Sequence, residues 1–124
     1  MSHRVLIYHS DSKIYKDILS KKLPSLSIHS AERPQDALDV IEGAEILFSW
    51  QIPDDLLKKA ERLKWFFSIA AGNEHLVKNP SFPESAILTK TTIYGEMMAE
   101  YVFAYLLYFI RDLSNYFKDQ KRKI

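Results

Sequence analysis

Four short residues in a row, Ala70-Ala71-Gly72-Asn73, follow the apolar run Trp65-Phe66-Phe67-Ser68-Ile69. A loop of this kind exposes backbone N–H groups with no bulky side chain in front of them, and such donors can hold a small carboxylate. Gly72 permits the closest approach, although a glycine here also suits a plain turn. Trp50 sits in Ser49-Trp50-Gln51, just after a second apolar run, Ile46-Leu47-Phe48. An indole so placed is either a wall beside a ligand or a lid on the core. Two histidines have the chemistry to move protons near neutral pH: His75, next to Glu74, and His9, in His9-Ser10-Asp11-Ser12. For His9, a capping or packing role competes with a place in a cleft. There is no cysteine, which excludes disulfides, thiolate metal sites and cysteine nucleophiles.

These residues need elements to position them, and the chain supplies a repeating strand and helix pattern. Val5-Leu6-Ile7-Tyr8 reads as a strand covered on both faces. Behind Ser10 to Ser12, the residues Ile14, Tyr15, Ile18 and Leu19 recur at helical spacing until Pro24 stops the segment. A weaker repeat follows, with a strand around Leu26-Ser27-Ile28 and a helix from Pro34 that carries Ala37, Leu38 and Ile41 to Gly43. Next come the strand Ile46-Leu47-Phe48 and a short helix opened by Pro53-Asp54-Asp55, whose acids favour its positive end. The run from Trp65 is the fourth strand, and Ile87-Leu88-Thr89 the fifth. Strands alternating with helices predict a flavodoxin-like three-layer α/β domain built on a five-stranded parallel sheet. Ligands of such sheets collect beyond the carboxyl ends of the strands, near the point where strand order reverses. That selects the loops His9 to Asp11, Ser49 to Gln51 and Ala70 to Asn73.

The 124 residues suit one domain, and 17 basic against 16 acidic residues leave a net charge of +1. Such balance gives no electrostatic reason to expect nucleic acid or an anionic membrane as partner. The most apolar stretch, Tyr101 to Ile110, is bounded by Glu100 and Arg111 and falls well short of the roughly 20 residues a bilayer requires. With no cysteine and no secretory pattern at the start, a cytoplasmic protein is expected.

The last helix, read from Met97 to Phe117, holds Tyr101, Phe103, Tyr105, Tyr108 and Phe109 in more directions than one buried stripe allows. A helix apolar nearly all round needs a second cover, either a further domain or a second copy of the chain. The alternative is a core helix with some exposed aromatics. Its charged end, Lys118 to Lys123, reads as an exit from the helix toward more chain.

The segment Leu63-Lys64-Trp65-Phe66-Phe67-Ser68-Ile69-Ala70-Ala71-Gly72-Asn73-Glu74-His75-Leu76 resembles the D-isomer-specific 2-hydroxyacid dehydrogenases, whose substrate domain has a comparable strand and an Ala-Gly-x-acid-His loop. Leu88-Thr89-Lys90 and Tyr94-Gly95-Glu96-Met97-Met98-Ala99-Glu100-Tyr101 to Arg111 look like that family's fifth strand and interdomain helix, in the style of its glyoxylate and hydroxypyruvate reductase branch. The resemblance implies a substrate-binding domain over residues 1–96, then an interdomain helix and truncated linker over 97–124. It implies that the backbone of Ala71, Gly72 and Asn73 grips the carboxylate of a small 2-oxo or 2-hydroxy acid, with Trp50 as a wall beside the substrate's side chain. His75 and Glu100 take structural roles in it.

The family's hydride chemistry also needs NAD(P) bound in a Rossmann domain, and an arginine, a histidine and an acid in catalytic positions. Glycines occur only at 43, 72 and 95, so Gly-x-Gly-x-x-Gly cannot occur. The expectation is a chain without catalytic, cofactor or metal residues of its own, inactive alone, with the Rossmann domain and a second copy, through residues 97–117, as partners. The alternative is a non-enzymatic carboxylate-binding or dimerisation domain derived from that family. A response-regulator receiver would need an aspartate where Ser49-Trp50 stands, and a flavodoxin a glycine in the first loop.

Overall fold

A computed structural model describes residues 2–123. In chain order the elements are β1 (Arg4–Tyr8), α1 (Ser12–Lys22), β2 (Ser27–Ala31), α2 (Pro34–Ile41), β3 (Ile46–Ser49), α3 (Asp54–Leu57), β4 (Trp65–Ser68), α4 (Glu74–Val77), β5 (Ile87–Lys90), α5 (Tyr94–Ile110) and α6 (Leu113–Arg122). All five strands are parallel, in the order β2-β1-β3-β4-β5. This is the flavodoxin-like order, and its reversal point lies between β1 and β3.

The chain divides into two compact units between Thr91 and Thr92. In the first, alternate strand residues serve opposite faces of the sheet. Leu6, Leu47 and Phe66 are aligned in register and fully buried among Ala37, Ile41, Leu57 and Leu76. Val5, Ile7 and Ile28 form a smaller core with Tyr15 and Leu19 of α1 and with Ile46 and Phe48. On that face Phe48 stacks on its register neighbour Phe67 at 5.4 Å. Two faces buried along one strand explain why β1 is a continuous apolar run. The second strand, expected around residues 26–28, runs on to Ala31, because pairing with β1 carries the polar pair His29 and Ser30 into the ladder.

The second unit holds α5 and α6. The single helix expected from Met97 to Phe117 begins instead at Tyr94 and is broken at Asp112, whose φ of 50° and ψ of 39° are left-handed. Aspartate tolerates this backbone better than most residues, and its carboxylate accepts from Asn115 Nδ2 at 2.8 Å in the first turn of α6. None of the residues of α5 is buried, and its only acidic residues, Glu96 and Glu100, lie in its amino-terminal half. Among the described residues no helix is long and apolar enough to cross a membrane.

Candidate functional site at the carboxyl rim of the sheet

Parallel pairing brings the carboxyl ends of all five strands to one rim of the sheet. At the reversal point, Ser49 at the end of β3 is fully buried. Its hydroxyl lies 2.9 Å from the carbonyl of Tyr8 and 2.8 Å from that of Gln51, and donates its one proton to either. It thereby ties the end of β1 to the turn that carries Trp50. That side chain is 55% exposed, so it does not lid the core. The register pair Ser49 and Ser68, with Ile69 N–H donating to Ser49 O at 3.1 Å, brings the Trp50 turn alongside the start of the small-residue loop.

Within that loop the Ser68 hydroxyl accepts from Ala70 N–H at 3.2 Å. Lys90 Nζ, at the end of β5, donates to Ala71 O at 2.8 Å. Gly72 does not have a positive φ, so no left-handed turn demands glycine here. A Cβ at Gly72 would meet Glu74 Oε2 at 2.5 Å, the far end of a side chain that can swing aside. The side-chain oxygen of Asn73 is buried and without a hydrogen-bond partner. Asn73 O instead accepts from Leu76 and Val77 N–H, which starts α4. An open groove of about 420 Å³ runs along this side of the loop, lined by Asn73, Glu74, Val77, Lys78, Leu88 and Lys90.

Both candidate histidines are committed to backbone. His75 Nε2 lies 3.2 Å from Trp50 O, so the imidazole of α4 holds the β3 turn. His9 Nδ1 accepts from Asp11 N–H at 3.0 Å, which makes it a cap on the first loop. In that loop His9 N–H donates to Ala31 O and Ser12 N–H to His9 O. The amides of His9, Asp11 and Ser12 are therefore spent inside the chain rather than offered to a phosphate after β1.

The most displaced carboxylate lies at the opposite rim. Glu45 accepts from Lys64 Nζ at 2.5 Å and from His3 Nδ1 at 2.9 Å. Hydrogen bonding from Lys64, then from His3, holds its pKa down from 4.5 to about 2. The backbone of Glu45 also bonds Arg4, Lys64 and Trp65, so this cluster clamps the amino ends of three strands. The ties from Lys90 and His75 into the candidate loops join residues far apart in sequence, and no local pattern announces them. His29 on β2 titrates below the usual histidine range, through burial first and then the charges of Arg4 and Lys16.

The strand order and the rim loops define the class, a flavodoxin-like α/β domain with its candidate binding site beyond the β3 and β4 ends. A solved D-isomer-specific 2-hydroxyacid dehydrogenase family protein from Aeromonas salmonicida is 33% identical and covers 100% of this chain, with a TM-score of 0.78, while the chain covers 41% of that protein. Over its whole length the chain is thus similar to a member of the D-isomer-specific 2-hydroxyacid dehydrogenase family. The same fold recurs in such a dehydrogenase from Xanthobacter autotrophicus, in complex with NADPH and MES, at 20% identity, a TM-score of 0.73, and coverage of 99% of this chain and 40% of that one. It recurs too in a probable 2-hydroxyacid dehydrogenase from Rhizobium etli, in complex with NADP, HEPES and L(+)-tartaric acid, at 20% identity, a TM-score of 0.70, and coverage of 99% and 39%. This chain thus spans about two fifths of the length of these relatives. No family model and no curated protein matches it.

Proposed function

We propose that the chain is the substrate-binding portion of an NAD(P)-dependent oxidoreductase acting on the CH–OH group of D-2-hydroxy acids, reducing 2-oxo acids such as glyoxylate or hydroxypyruvate. The observation that carries this reading is the loop Ala71-Gly72-Asn73, bare of bulky side chains and held at the carboxyl rim by Lys90. Its N–H groups grip the substrate carboxylate, and the exposed Trp50 walls the substrate's side chain. Cofactor, catalytic arginine and acid-base pair come from the Rossmann domain of the parent protein, placed in the cytoplasm. Isothermal titration with oxalate, an unreactive stand-in for glyoxylate, together with an assay of NADPH and NADH oxidation, tests the reading. It expects weak oxalate binding and no turnover by this chain. Turnover by the chain alone, or no binding of oxalate, would overturn it.

A second reading, a non-enzymatic carboxylate-binding or dimerisation domain, is favoured by α5, whose large apolar residues are exposed. In both readings residues 97–117 take up a second copy of the chain.

A further inference from the structure

Lys90 ends β5, the edge strand, yet its ammonium reaches across to the loop that follows β4. Its partner there is the carbonyl oxygen of Ala71, at 2.8 Å, although the carboxylate-bearing Glu74 lines the same groove. The peptide between Ala71 and Gly72 is trans, as are all those described. In a trans peptide the carbonyl and the next N–H point to opposite sides of the chain. A carbonyl held toward β5 therefore turns the Gly72 N–H away from β5. The other neighbour of β4 is β3, the strand that Trp50 follows. A cation on the oxygen also polarises the peptide and strengthens its N–H as a donor.

We propose that Lys90 is the positioning residue of the carboxylate-binding loop: it fixes the Ala71–Gly72 peptide so that the Gly72 N–H faces the bound carboxylate. This rests on the reading of the loop given above. Lys90 does not itself touch the substrate in this arrangement. Its charge lies one peptide behind the anion, close enough to favour binding and too far to take the anion for itself. An exposed lysine whose role was only to cap the edge strand would have no effect on the Gly72 amide.

The test is titration of the isotope-labelled chain with oxalate, read at the Gly72 amide, for the wild type, K90M and K90R. In the wild type oxalate moves the Gly72 resonance. K90M loses affinity by roughly tenfold, which corresponds to about 1.4 kcal/mol, and its Gly72 amide is displaced before any ligand is added. K90R, which keeps a cationic donor, recovers most of the affinity. Unchanged amides of the buried residues Leu47 and Phe66 report an intact fold in both variants. Wild-type binding with K90M equally tight overturns the inference and leaves the reading of the site standing. A loss that K90R does not repair also overturns it, and no binding by the wild type overturns both.

Discussion

The imidazole Nε2 of His75 stands 3.2 Å from the backbone oxygen of Trp50. One side chain of α4 thus holds the turn that ends β3, and the two loops of the candidate site are linked through it. The donor must be Nε2–H, because a carbonyl only accepts. His75→Ala is expected to lose about 1 kcal/mol of stability, to speed amide exchange around Trp50, and to weaken oxalate binding. His75→Gln, which restores an N–H donor, is expected to recover part of each loss. Equal exchange rates in wild type and His75→Ala would show that the tie holds nothing.

Trp50→Ala tests whether the indole walls the substrate's side chain. Because the indole is exposed, thermal unfolding is expected to shift by less than about 1 kcal/mol. Competition against oxalate should show hydroxypyruvate weakened several-fold and glyoxylate, which has no side chain to be walled, unchanged. Equal weakening of both acids would remove Trp50 from the site.

Acid should loosen the amino rim. Glu45 titrates near 2 in the folded chain and near 4.5 when unfolded. A depressed carboxylate contributes stability that is present above the unfolded value and lost as pH falls toward the folded one. His29 acts in the same direction over a higher range, because its lowered value makes folding disfavour the proton it would otherwise take. The unfolding midpoint is therefore expected to fall as pH drops below the usual histidine range, and again between 4.5 and 2. Glu45→Gln should flatten the second fall, as followed by circular dichroism.

Phe66 is fully buried at the centre of the larger core and packs on Phe82 with ring centroids 5.9 Å apart. Phe66→Ala is expected to cost about 3–5 kcal/mol, enough to unfold much of a marginal domain. Denaturant melts with a loss under about 1 kcal/mol would mean that the core closes around the gap.

For α5, sedimentation is expected to give a dimer, which the double substitution Phe103→Glu and Leu106→Glu converts to a monomer. Circular dichroism should keep the same strand content. A wild-type monomer at high concentration would sink the second-copy reading.

Four strands were legible because each holds a short run of apolar residues closed by small or polar ones, and the registers of β1, β3 and β4 keep those runs side by side, whereas the mixed β2 could be read only at its start. The left-handed residue at Asp112 was hidden, since Arg111-Asp112-Leu113 fits a helical pattern as well as a break. At the site, the loop itself could be read from its small residues. Its supports could not, because Lys90 lies 19 residues from Ala71, and His75 lies 25 from Trp50. Gly72 has an ordinary backbone, and a Cβ there would meet only the mobile end of the Glu74 side chain, so neither conformation nor packing demands glycine.

The sheet contains only parallel pairs, so no two neighbouring strands can be joined by a tight turn. Each must wait for its crossover before its partner arrives, and that sets the tempo of folding. β1 can receive β2 and β3 from the nearest stretches of chain, whereas β5 has only β4 to join. The end of β5 that bears Lys90 is therefore held to the sheet through β4 alone.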